Sequence, residues 1–309
     1  MKKTDSFENA KGKIEYTPLN DVIFHYILEN DEFVLRRLLC ALLHLKPSEI
    51  ESIKIKNPIN YGDYAEEKKF ILDLSLILNN SSIVNLELQI LNEYDWPERS
   101  LSYLCRSFNT LNKGDDYIDV MPSHFIGILD FSLFKDAPEF FSTYHLRNDK
   151  TGDIYTGKFA LSVLDLTQIR LATEEDKSWN LDKWAALFKA TTWEELRMIA
   201  SSDQGMQKAA TLVYHANQDE IAREWAWRHE EALRLERARN ARNQKKEEYF
   251  KTRDAEIAMK LDEISKIMEE LSARDNELSR RDDELSRREI ELSRREEEFR
   301  QRLADNHML

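Results

Sequence analysis

Two runs near the middle of the chain alternate between apolar and polar residues. In residues 69–78 the apolar positions are Phe70, Leu72, Leu74, Leu76 and Leu78, and Asp73 and Ser75 face the other way. In residues 83–90 Val84, Leu86, Leu88 and Ile90 are apolar, while Asn85, Glu87 and Gln89 share the opposite face. A period of two marks strands with one buried face. The Asn-Asn-Ser-Ser stretch at 79–82 joins them as a hairpin turn. Residues directly opposite in an antiparallel pair lie on one face. With Leu78 opposite Ser82 the loop has three residues, Ser75 meets Asn85, and Asp73 meets Glu87. A four-residue loop would set Asp73 opposite Leu88 and part the two acids. An odd-length turn therefore predicts two carboxylates about 5 Å apart. Such a pair repels unless a cation lies between them or one is protonated. Hard carboxylate oxygens suit Mg2+ or Mn2+ better than zinc. A half-buried hairpin with a solvated polar face also fits the alternation.

Residues 1–13 are polar and read as frayed. Helical spacing follows in Val22, Ile23, Tyr26 and Ile27, opened by Asn20 and Asp21. A second helix is predicted over 31–44, burying Phe33, Val34, Leu38, Leu39, Leu42 and Leu43. Residues 50–59 read as a strand and 98–111 as a helix. The continuous apolar run 125–131 suits a sheet centre. Two more strands are expected at 140–146 and 159–165, and residues 181–248 read as helical throughout. These elements predict an α/β core with helices at both ends.

The last sixty residues change character. Ile257, Leu261, Ile264, Met268 and Leu271 follow the 4-3 spacing of a coiled-coil seam. The chain then repeats in sevens, with Leu278, Leu285, Leu292 and Phe299 at one seam position and Asp275, Asp282, Glu289 and Glu296 at the other. Glu277–Arg281, Glu284–Arg288 and Glu291–Arg295 are i,i+4 pairs, each worth about 0.3–0.5 kcal/mol. The segment is expected to form a homo-oligomer, a dimer, although the charged layers also suit a solitary helix.

Composition narrows the classes. The 309 residues include only 7 Gly and 6 Pro, which argues against disorder. Cys40 and Cys105 give neither a disulfide framework nor zinc spacing and read as reduced core residues. The seven histidines show no ligand spacing, and Ser100 and Ser102 lack a paired histidine. No P-loop or dinucleotide fingerprint is present. There is no signal-peptide pattern and no run near the ~20 apolar residues of a membrane span. These features predict a soluble, cytoplasmic protein with no membrane partner. The net charge of −13 is unusual for a nucleic-acid partner, because duplex binding rests on Lys and Arg at phosphates. Residues 223–246, with eight basic and four acidic residues, are the basic segment. Within it Trp225 and Trp227, beside Arg223 and Arg228, could stack on single-stranded bases or simply pack.

Several motifs occur in a family order. The run from Asp73 to Gln89, ending in Asn-Leu-Glu-Leu-Gln, resembles the core motif of the Rpn recombination-promoting nucleases, also labelled putative transposases, of the PD-(D/E)XK superfamily. "LNDVIFHYIL" (19–28) is similar to that family's opening helix, and "ERSLSYLCRSF" (98–108) to its Arg-Ser-x-x-Tyr helix. "GDDYIDVMPSHFIGILDFSLF" (114–134) and "LDKWAALFK" (181–189) resemble its later segments. The likeness covers roughly residues 15–235. It implies a restriction-endonuclease-like mixed sheet flanked by helices, then a helical segment and the coiled coil. The domains so implied are a flexible 1–14, a nuclease-like 15–190, a helical extension 191–250 and a coiled coil 251–309.

The resemblance also implies roles. Asp73 and Glu87 would bind Mg2+ or Mn2+, and the metal would activate a water and clamp the scissile phosphate of DNA. Gln89 stands where the wider superfamily has a catalytic lysine and would orient that water or a phosphate oxygen. Asp21 is a third candidate acid, with a first-turn helix acid as the other reading. Arg99, with Tyr103 one turn further on, would contact DNA phosphate or form a salt bridge. His25 stands where the family has lysine. Two functions result: a metal-dependent DNA endonuclease, or a catalytically weak scaffold that assembles through its coiled coil.

Overall fold

The computed structural model describes residues 6–56, 74–201 and 203–306, with side chains through residue 300. A six-stranded mixed sheet runs β1 (Ile53–Ile55), β2 (Leu74–Leu78), β3 (Ser82–Gln89), β4 (Ser123–Leu129), β5 (Phe141–His145) and β6 (Phe159–Asp165) in the spatial order β1-β2-β3-β4-β6-β5. β1, β2 and β3 are antiparallel neighbours, β3, β4 and β6 run parallel, and β5 closes the far edge antiparallel to β6. This is the mixed sheet the motif order implied. Of the strand expected at 50–59, residues 53–55 are extended and 57–59 lie outside the described residues.

The hairpin has the odd-length turn. Leu78 pairs with Ser82, Ser75 with Asn85, and Leu74 with Leu86. Asn79 and Asn80 both take left-handed backbone, φ 53 each, which Asn tolerates better than other non-Gly residues. The Asn79 side chain also ties the turn to the chain before β1, accepting from the Glu51 and Ser52 amides and donating to the Glu49 carbonyl.

Helices cover both faces of the sheet. α1 (Asp21–Glu29), α2 (Glu32–Leu43), α5 (Leu181–Lys189), α6 (Trp193–Ala200) and α7 (Gln204–Gln218) share one core with Leu74, Leu76, Leu86, Leu88, Ile126 and Ile128. α3 (Trp96–Phe108) packs on the other face, where Trp96 and Leu104 meet Phe125, Leu129 and Val163. β4 is buried on both faces, as its continuous apolar run predicted. Pro97 is accommodated in the first turn of α3, so that helix begins at Trp96, before the expected start.

The expected unbroken helix over 181–248 is corrected. It is cut into α5, α6, α7 and α8 (Glu220–Asn306), and the cuts carry side-chain caps. Thr192 and Glu195 form a capping box at α6. Asp203 accepts from the Gly205 and Met206 amides at α7, and Asp219 from the Ala222 amide at α8. The polar 1–13 stretch also differs from the frayed reading, since Phe7 is buried against Trp193 and Tyr214. Buried Asn217 grips the Tyr16 backbone from both sides, at 2.9 Å each way. Cys40 is buried, whereas Cys105 is exposed and not a core residue. Phe33 is also exposed, under the Lys208 ammonium.

Two compact units divide the chain at 234/235. The second consists of the remainder of α8, whose seam residues Ile257, Leu261, Ile264, Met268 and Leu271 are all exposed. The three Glu-to-Arg pairs form there at 3.0, 2.8 and 2.8 Å. Among the described residues no helix is long and apolar enough to cross a membrane.

Candidate active site

β3 carries Asn85, Glu87 and Gln89 on the face that α3 covers. The alternative of a solvated polar face therefore fails: Asn85 is 0% and Glu87 2% exposed. Asn85 Nδ2 donates to Ser107 Oγ on α3 at 2.6 Å. Next to Glu87 in the sheet register is Gly127 of β4. A Cβ at Gly127 would overlap Cζ2 and Cη2 of the Trp96 indole, so glycine is what lets α3 settle onto the sheet beside Glu87.

Arg99, one turn into α3, sets Nη2 2.8 Å from Glu87 Oε1 and Nη1 3.6 Å from Glu93 Oε2. Its guanidinium carbon lies 5.9 Å from the Tyr103 ring centroid, and that ring stacks on Phe125. Burial is the largest influence on the Glu87 carboxyl and pushes it up. Arg99 pulls it back, while Asp21 and Asp95 push it up further, leaving it raised to about 7. The arginine alone therefore does not hold Glu87 fully ionised at neutral pH. Its contact lies off the hydrogen-bond axis, and neither Glu87 oxygen has a well-aligned hydrogen bond among the described residues.

Asp21 is the first residue of α1, capped by Asn20, whose Oδ1 accepts from the Val22 amide. It is thus a first-turn acid that also bears electrostatically on Glu87. Its Oδ1 has no hydrogen-bond partner among the described residues and lies 3.9 Å from His25 Nε2, which also lacks one. Asn85 Oδ1, Trp96 Nε1 and Arg99 Nε complete the set of unsatisfied buried atoms on these elements. Each such atom costs about 1–3 kcal/mol if nothing meets it, so their concentration here is chemically informative.

The structure brings Glu87, Arg99 and Tyr103 together and couples Asp21 to them. Gln89 turns its amide to the Leu91 carbonyl at 3.0 Å. Asp73 lies outside the described residues. Trp225 packs against the core under Arg228, and Trp227 is exposed, while Arg223 and Arg228 are paired with Glu15 and Glu224. Sequence reasoning missed the Trp96–Gly127 contact and the His25–Glu29 hydrogen bond at 2.7 Å. The i,i+4 spacing of Asp21, His25 and Glu29 on one helix was the available signal for the second.

A divalent cation fits what is described in part. Glu87 and Asp21 offer hard oxygens that lack other partners, the donors Mg2+ and Mn2+ take. Among the described residues, no group of three or more His, Cys, Asp or Glu side chains could hold a metal ion.

No curated protein and no solved structure matches the chain. The sequence profile of the PD-(D/E)XK nuclease family transposases matches residues 18–242, a span from the start of α1 into α8 that contains the whole sheet and every candidate residue named above. With its mixed six-stranded sheet between helical layers, the chain belongs to the PD-(D/E)XK nuclease family transposases.

Proposed function

We propose that the protein is a Mg2+- or Mn2+-dependent DNA endonuclease of the Rpn recombination-promoting type, acting in the cytoplasm. The observation that carries the reading is the hairpin register. It ends with Leu74 opposite Leu86, and continued by one residue it would set Asp73 opposite Glu87. Glu87 is buried with both oxygens lacking a hydrogen-bond partner among the described residues, as a ligand carboxylate needs.

In this reading Asp73 and Glu87 hold the cation, with Asp21 as the third acid. The bound cation lowers the pKa of a coordinated water and offsets charge on the phosphate. Gln89 gives up its hydrogen bond to Leu91 to orient that water or a phosphate oxygen. Arg99 loses Glu87 as its counter-ion once that carboxylate serves as a ligand. Its guanidinium, stacked toward Tyr103, then becomes the phosphate contact. Having no charge of its own, Gln89 leaves Arg99 as the cation on this face for transition-state charge.

Supercoiled plasmid incubated with the full chain in Mg2+, Mn2+ or EDTA tests the reading. Nicking that requires a metal supports it. A second reading rests on the exposed heptad seam of α8: a weak or inactive nuclease fold that assembles as a homodimer and captures partners. Protein that is multimeric but inert with every metal would favour that scaffold.

A further inference from the structure

His25 is 1% exposed, and its two ring nitrogens have different surroundings. Nδ1 sits 2.7 Å from Glu29 Oε1, one turn along α1. Nε2 is buried with no hydrogen-bond partner among the described residues and points toward Asp21 Oδ1 at 3.9 Å, an oxygen that is likewise unpartnered. Glu29 fixes the ring, and with the proton on Nδ1 the Nε2 lone pair is directed at the Asp21 carboxylate. Two lone pairs facing one another across 3.9 Å, both out of water, gain nothing from each other. A metal ion between them would satisfy both.

A carboxylate on one imidazole nitrogen with a metal on the other is the arrangement by which proteins orient histidine ligands and raise their basicity. We propose that Asp21 Oδ1 and His25 Nε2 form a mixed oxygen–nitrogen site for a divalent transition-metal cation, with Glu29 as the positioning residue. The site rests on the metal-dependent reading above and deepens it. Asp21 bears electrostatically on Glu87, so the site adjoins the buried acid rather than standing apart from it. An imidazole ligand favours Mn2+ and later transition metals over Mg2+, which keeps to oxygen. Two protein ligands leave the remaining positions to water and to neighbouring carboxylates.

The test is pulsed electron paramagnetic resonance of Mn2+ bound to the full-length protein, with a parallel titration of free Mn2+. The expected result is a nitrogen-14 coupling to bound Mn2+ that becomes a nitrogen-15 coupling when the histidines are isotopically labelled. This arm uses the unmodified chain and does not depend on a variant folding. In His25→Gln the coupling disappears and Mn2+ affinity falls about tenfold or more, while Mg2+ affinity changes less. In Glu29→Gln the coupling persists and affinity falls by a smaller factor. Mn2+ bound without any histidine coupling overturns the site but leaves a carboxylate-only nuclease standing. Failure of the protein to bind Mn2+ or Mg2+ at all overturns both.

Discussion

Arg99 holds a guanidinium nitrogen 2.8 Å from Oε1 of Glu87, yet the carboxyl of Glu87 is still raised to about 7. Burial outweighs the arginine because the contact is off-axis and because Asp21 and Asp95 add negative charge nearby. A buried acid held this way is destabilised when ionised, and a cation would relieve it.

That imbalance sets a pH dependence for the metal-free protein. The folded-state value lies above the ordinary carboxylate value of 4.5, so the folded chain binds this proton more tightly than the unfolded chain. The stability contributed by Glu87 is therefore complete below pH about 4.5 and is lost as pH rises through about 7. The pH-dependent loss is about 3 kcal/mol at most. Glu87→Gln should remove it, so in EDTA the variant gains on wild type between pH 4.5 and pH 8. Thermal unfolding at both pH values checks this, and a difference that does not change with pH would count against it.

Gly127→Ala should cost about 1–3 kcal/mol, because its methyl group would occupy the space of the Trp96 indole and force α3 away from Glu87. Denaturant unfolding measures the loss. Combining it with Trp96→Ala should cost less than the two single changes summed, since the clash is then gone. Strict additivity would show that the ring is not what glycine accommodates.

The α8 seam should assemble. Ile264→Asp places a charge at the centre of the apolar stretch from Ile257 to Leu271 and should convert the homodimer to monomer in sedimentation velocity. The thermal transition of residues 6–234 should persist, because the two units are separately compact. An unchanged sedimentation coefficient would mean that α8 stands alone, supported by its Glu–Arg pairs.

Much of this was legible in the chain because the informative signals were local. Alternation gave the faces of β2 and β3, and the turn arithmetic gave their register, which Asn79 and Asn80 make possible with left-handed backbone. The motif order pointed to the mixed sheet. What escaped were features that depend on the third layer. Asn85 and Glu87 read as polar-face residues, and only the placement of α3 makes them buried. The cuts between α5, α6, α7 and α8 were present as Thr192 with Glu195, Asp203 and Asp219, but an uninterrupted apolar period masked these caps. Arg99 as a partner of Glu87, rather than a free phosphate contact, required the crossing of α3 over β3.

The central claim is that Asp73 and Glu87 together carry metal-dependent cleavage, and plasmid nicking by Asp73→Ala and Glu87→Ala measures it most directly. Both variants should retain the wild-type circular dichroism spectrum and lose Mg2+- and Mn2+-dependent nicking to the EDTA background. A folded variant, or the folded double variant, that nicks at the wild-type rate would contradict the account.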